Sequence, residues 1–111
     1  MDLLIIDHRL ERHEVYRDIL ASQKINFDIK ANESSDLFIL STQYKAILIH
    51  INNREMKMFN KIDNNSACTK IIFGDFDGNT ELNRYIKKNN TRYVSHNVFQ
   101  NTILKNIKDY I

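Results

Sequence analysis

The chain has 111 residues, with 16 Lys and Arg against 14 Asp and Glu and a net charge of +2. That length suits one domain with its own core, and the charge is too small and too scattered to argue for a nucleic-acid partner. A lone cysteine, Cys68, excludes an internal disulfide and a cysteine-based zinc knuckle, while two glycines and no proline exclude the glycine-rich loops that cradle phosphate.

Leu3-Leu4-Ile5-Ile6 is a continuous apolar run of the kind a doubly buried strand shows. Residues 9–22 then place Val15, Tyr16, Ile19 and Leu20 on one helical face, with His13 read as a surface residue. Residues 26–30 alternate Phe27 and Ile29 with polar side chains, as a strand near a sheet edge does. Residues 34–42 carry Leu37, Phe38, Ile39 and Leu40 in a short helix. Residues 45–51 form the strongest apolar run and are expected to be the central strand.

Met56, Phe59 and Ile62 mark another short helix, followed by the turn residues Asp63-Asn64-Asn65-Ser66. Cys68, just before a fourth strand at residues 69–73, is read as a buried, inert thiol. Residues 74–78 make a loop containing both glycines, and Asn79 or Thr80 can cap a helix bearing Leu82, Tyr85 and Ile86. Lys87-Lys88 is read as a solvated helix end. Residues 92–95 are a fifth strand. Asn97 with Gln100 resembles a capping box, opening a last helix with Phe99, Ile103, Ile107 and Ile111 on one stripe.

A β-α alternation repeated five times implies an α/β domain, a parallel sheet with helices on both faces. Three of the four histidines, His8, His50 and His96, each follow a strand-like run. The C-terminal ends of parallel strands form one rim, and open α/β folds place their chemistry there. No apolar stretch approaches the ~18 residues needed to span a bilayer. No charged-then-apolar leader opens the chain. A cytoplasmic location is the expectation.

The stretches LLIIDHRLERHEVYRDIL, YKAILIHINNREM and TRYVSHNVF carry a resemblance to a known family. Together they resemble the receiver domain of bacterial response regulators, over essentially the whole of residues 1–111. The resemblance implies a single flavodoxin-like (βα)5 domain with strand order 2-1-3-4-5, possessed alone or followed by an effector domain. It places the first acid of the family's pair on Asp7 and the second on His8. It places the phosphoacceptor on His50, the lysine on His96 and the following proline on Asn97. The switch hydroxyl falls on Gly74 or Asp75, and the switch aromatic is Tyr93. The proline and glycine usual after the acceptor are missing from residues 51–55.

Each replacement has a consequence. Receiver phosphorylation needs carboxylates around Mg²⁺, a hard ion that takes oxygen ligands; here Asp7 and Asp75 are the only carboxylates left. Loss of the lysine removes the counter-charge for an acyl phosphate. Without proline a cis peptide costs ~3 kcal/mol, so the 96–97 bond should run trans.

The expected function is therefore that of a degenerate "pseudo-receiver" in signal transduction, not an enzyme. Its pocket is Asp7, His8, His50, Asp75 and His96, and it binds no cofactor, Mg²⁺ being absent or weak. It would act on a protein partner or a second copy of itself, with no direct nucleic-acid or membrane binding. The docking face would be the fourth helix, fifth strand and fifth helix, through Arg84, Tyr93 and Lys108, as a weak homodimer. The alternative is a metal- or small-ligand-sensing module in which His8, His50 and His96, with Asp7 or Asp75, hold an ion such as Zn²⁺. A third reading is a competent receiver whose acceptor lies elsewhere.

Overall fold

The computed structural model describes residues 1–31, 42–50, 67–74 and 92–111. Strand β1 (Leu3–Ile6) leads through a 3-10 turn (Leu10–Arg12) into helix α1 (His13–Ala21), and then come β2 (Phe27–Lys30), β3 (Ala46–His50), β4 (Thr69–Phe73) and β5 (Arg92–Val94). A C-terminal helix follows from His96 to Tyr110. All four pairings are parallel and the order is β2-β1-β3-β4-β5. This is the 2-1-3-4-5 arrangement expected for a flavodoxin-like domain, with β3 at the centre.

The register aligns the strand ends. Ile6 pairs with Ile49, Ile49 with Ile72 and Ile72 with Tyr93. One residue further on, His50 pairs with Phe73 and Phe73 with Val94. Asp7, directly after β1, stands beside the same row.

The two sheet faces are buried separately because side chains alternate along each strand. On one face Leu3, Ile5, Ala46, Leu48, Ile71 and Phe73 pack with Tyr16 and Leu20 of α1 and with Phe99, Ile103, Leu104 and Ile107 of the C-terminal helix. On the other, Leu4, Ile6, Ile47 and Ile49 pack with Tyr44 and Cys68. Each such apolar side chain contributes ~1.5–3 kcal/mol by leaving water. Burial also pushes the Cys68 thiol above its ordinary value, as expected of an inert cysteine.

The inner stripe of α1 differs from the one read from apolar residues alone. It runs through His13, Tyr16 and Leu20, while Val15 is exposed. His13 is 6% exposed, which corrects its reading as a surface residue. The spacing i, i+3, i+7 puts positions 13, 16 and 20 on one face and leaves 15 off it.

The last helix also starts differently. Its N-cap is Ser95, not Asn97: Ser95 keeps an extended backbone (ψ 161°), and its Oγ accepts the Val98 N–H at 3.2 Å. That removes Ser95 from the fifth strand and makes His96 the first helical residue. The 96–97 bond is trans, as are all peptide bonds among the described residues. The helix then widens over Phe99–Ile103 and tightens over Leu104–Tyr110, with a break at Asn106 (φ −126°, ψ 37°). There the Gln23 side chain, from the end of α1, donates to Leu104 O at 2.5 Å and accepts from Ile107 N at 3.2 Å. A side-chain amide thus supplies partners where the helical ladder is interrupted.

Apart from Thr42, which is in an exposed turn, the helices expected at residues 34–42, 56–62 and 79–88, the turn at 63–66, Asp75, Arg84 and Lys87-Lys88 lie outside the described residues. No helix among the described residues is long and apolar enough to cross a membrane.

Candidate functional site

The rim formed by the ends of β1, β3, β4 and β5 is organised around Asp7. This residue is fully buried, at 0% exposure. Its Oδ1 accepts the Arg9 N–H at 3.0 Å, an Asx-type turn that carries the chain out of β1. Its Oδ2 accepts the Tyr16 hydroxyl at 2.5 Å, and the Arg12 guanidinium lies 3.5 Å from the same oxygen. The His13 Nε2–H donates to the Asp7 backbone carbonyl at 2.7 Å, and because that oxygen only accepts, the contact fixes the tautomer. Arg12 at the end of the 3-10 turn, with His13 and Tyr16 in the first turn of α1, thus clamps Asp7 through three side chains.

These contacts set the charge. Burial alone would raise the Asp7 carboxyl, but the hydrogen bonds from Tyr16 and Arg9, with His50 and Arg12 nearby, hold it below the usual carboxylate range. Tyr16 moves the other way: burial, and then the carboxylate it donates to, push its phenol far above the ordinary value. The pair is a neutral phenol on an ionised carboxylate.

Two imidazoles face the other oxygen. His50 is the last residue of β3 and 7% exposed. Its Nδ1 lies 3.9 Å from Asp7 Oδ1. The Nδ1 of His8 lies 3.9 Å from that same atom, and the two rings are 5.0 Å apart. Burial pushes His50 down to about 4; Asp7 pulls it up, but Arg12, His8 and His96 oppose that pull. His50 is therefore neutral at pH 7. Asp7, His8 and His50 each offer a ligand atom within 4.8 Å of the others.

His96 does not join them. Its Nε2 donates to Gln100 Oε1 at 3.1 Å, and its ring rests against Phe73 at 6.0 Å. The reason is topological. His8 and His50 follow β1 and β3, which are neighbours in the sheet, whereas His96 follows β5, on the far side of β4. The β4 residue level with His50 is Phe73, whose ring stacks on Phe99 and contacts both His50 and His96. The Nδ1 atoms of His8, His50 and His96 are buried without a hydrogen-bond partner.

Directly after β4, Gly74 has φ 145°, a conformation only glycine takes at low cost, and its N–H donates to Val94 O. The Tyr93 hydroxyl donates to Gly74 O at 2.6 Å, tying β5 to this turn. Lys108 is exposed on the C-terminal helix, whereas Tyr110 is half-buried against the core with Arg92 over its ring at 5.5 Å. Sequence reasoning missed Arg12, His13, Tyr16 and Phe73 as parts of the rim. The available signal was the helical spacing of 12–13 and 16, which puts these side chains on the turn facing the end of β1.

A crystal structure of a response regulator receiver domain protein (CheY-like) from Methanospirillum hungatei JF-1 matches with a TM-score of 0.73. The match covers 97% of this chain and 90% of that one, at 17% sequence identity. The fold is that of a CheY-like receiver domain. No family model matches the sequence, and no curated protein matches it. The receiver fold implies a Mg²⁺ site on this rim, and the donor set that the described residues bring together there does not fit that ion. Mg²⁺ prefers several oxygens, whereas this cluster offers two imidazoles and one carboxylate whose Oδ2 already serves Tyr16 and Arg12.

Proposed function

We propose that this chain is a receiver-fold signalling module that is not phosphorylated at the usual site and works by binding a protein partner or a second copy of itself. What carries the reading is the state of the rim. At the position that the receiver resemblance gives to the phosphoacceptor stands a buried, neutral imidazole, His50. The neighbouring Asp7 carboxylate is committed to Tyr16, Arg9 and Arg12. His50 offers no carboxylate to a phosphodonor, and each Asp7 oxygen already accepts a hydrogen bond from within the chain. The module is then non-enzymatic and cytoplasmic, one component of a regulatory pathway whose output belongs to its partner.

The docking surface in this reading is the face of the fourth helix, β5 and the C-terminal helix. Interfaces favour aromatic residues and Arg, and symmetric pairs are commonly two-fold. Tyr93, Lys108 and, from the sequence, Arg84 supply that character. The first test is incubation with acetyl phosphate and Mg²⁺ followed by intact-mass measurement. No phosphoryl adduct is expected, and a stoichiometric adduct on any aspartate would overturn the reading. Sedimentation without a phosphodonor should show concentration-dependent association that R84E combined with K108E weakens. A monomer at all concentrations leaves only the heterologous partner.

A further inference from the structure

We propose that Asp7, His8 and His50 form a binding site for a divalent first-row transition ion of the Zn²⁺ class. Asp7 and His8 directly follow β1 and His50 ends β3, so the pairing of these two adjacent strands brings the three residues to one place on the rim. His50 is more than nine-tenths buried, and its Nδ1 has no hydrogen-bond partner, as is also true of His8 Nδ1. A buried nitrogen left without a partner costs ~1–3 kcal/mol, and two of them facing one carboxylate oxygen need a common explanation.

The spacing discriminates between explanations. At 3.9 Å from Asp7 Oδ1, neither imidazole is close enough for a hydrogen bond. Two metal–ligand bonds of about 2.0–2.1 Å, however, span up to roughly 4.1 Å, and a tetrahedral centre holds its donors roughly 3.3–3.4 Å apart. Closing the set takes an inward shift of roughly 0.5 Å toward Oδ1 by both imidazoles, of which His8, with its side chain 34% exposed, is the less confined.

The surroundings are those of a supported metal site. A ligating carboxylate is ordinarily held by further hydrogen bonds that fix its orientation. Here Tyr16 and Arg12 engage Oδ2, the Arg9 N–H holds Oδ1, and His13 pins the Asp7 backbone. The oxygen facing the imidazoles keeps a lone pair for an ion. Imidazole favours Zn²⁺, Cu²⁺ and Ni²⁺ over Mg²⁺, so the donor set selects against the ion of phosphoryl chemistry. The exposed side of His8 leaves a fourth position for water or an exogenous donor. This site does not depend on the signalling role proposed above, and either can fail alone.

The test is calorimetric titration of the folded full chain with ZnCl₂, and separately with MgCl₂, at pH 7.5. Thermal melts run in parallel, because an ion that binds only the folded state raises its melting temperature. One Zn²⁺ per chain is expected, with no Mg²⁺ response at the same concentration. H8A should weaken Zn²⁺ binding at least tenfold, and H50A should do the same. H96A should leave it unchanged. H8A keeps the buried core intact, so the test survives if H50A folds poorly. With Co²⁺ in place of Zn²⁺, a visible absorption band of a tetrahedral centre should appear in the wild type and be lost in H8A. No Zn²⁺ binding at micromolar metal, binding that survives H8A, or equal loss in H96A would each overturn the proposal.

Discussion

Tyr16→Phe removes one oxygen atom and tests how the rim is held. The Tyr16 hydroxyl donates to Asp7 Oδ2 at 2.5 Å, and both residues are 0% exposed, so no water is at hand to replace it. A hydrogen bond to a buried charged group is worth about 1.5–3 kcal/mol. For a chain of this length that corresponds to a fall in Tm of roughly 6–12 °C. Urea denaturation at pH 7 should show the lower midpoint with an unchanged m value. The same substitution should raise the Asp7 carboxyl titration, followed by its carboxyl carbon resonance, because the Tyr16 bond is the strongest influence holding it down. Each pH unit of that rise accounts for ~1.4 kcal/mol of the loss. A loss below about 0.5 kcal/mol, or an Asp7 midpoint that does not move, would refute the account of Asp7 as a carboxylate held ionised by α1.

His50 titrates near 4 in the folded chain, against 6.5 for an unperturbed histidine. The unfolded state therefore binds the extra proton first, and stability should fall by about 3 kcal/mol as pH drops from 6.5 to 4. Urea midpoints measured across that window should flatten in His50→Leu, and an unchanged slope would assign the dependence to another group. Below 3.8, Asp7 contributes a further loss, because its folded value lies under its unfolded one. Gln23→Ala should cost about 1–3 kcal/mol by orphaning Leu104 O and Ile107 N at the Asn106 break. Amide exchange should quicken at Ile107 and not at Ile103, one turn earlier; uniform acceleration would mean global loosening.

The strands were legible in the amino-acid sequence because burial on both faces of a parallel sheet demands short, continuous apolar runs, and Leu3–Ile6, Ala46–His50 and Thr69–Phe73 have them. Patterning also placed Phe99, Ile103 and Ile107 on the inner stripe of the last helix. Local pattern says only which side chains avoid water, so it was silent where polar groups turn inward. Tyr16 reads as part of the inward face of α1, but neither the Asp7 carboxylate that its hydroxyl meets nor the burial of His13 against the Asp7 carbonyl can be read from apolar residues alone. The Ser95 cap was missed for a related reason: Asn97 carries an equally good capping group, and only the extended backbone at 95 decides between them. Alternation of strands and helices implied a parallel sheet, and the order of its strands decided which histidines meet. Neighbouring strands lie ~4.8 Å apart, within reach of two imidazoles sharing one carboxylate. That is how His8 and His50 converge on Asp7, while His96, with β4 and its Phe73 ring in between, is held away from them.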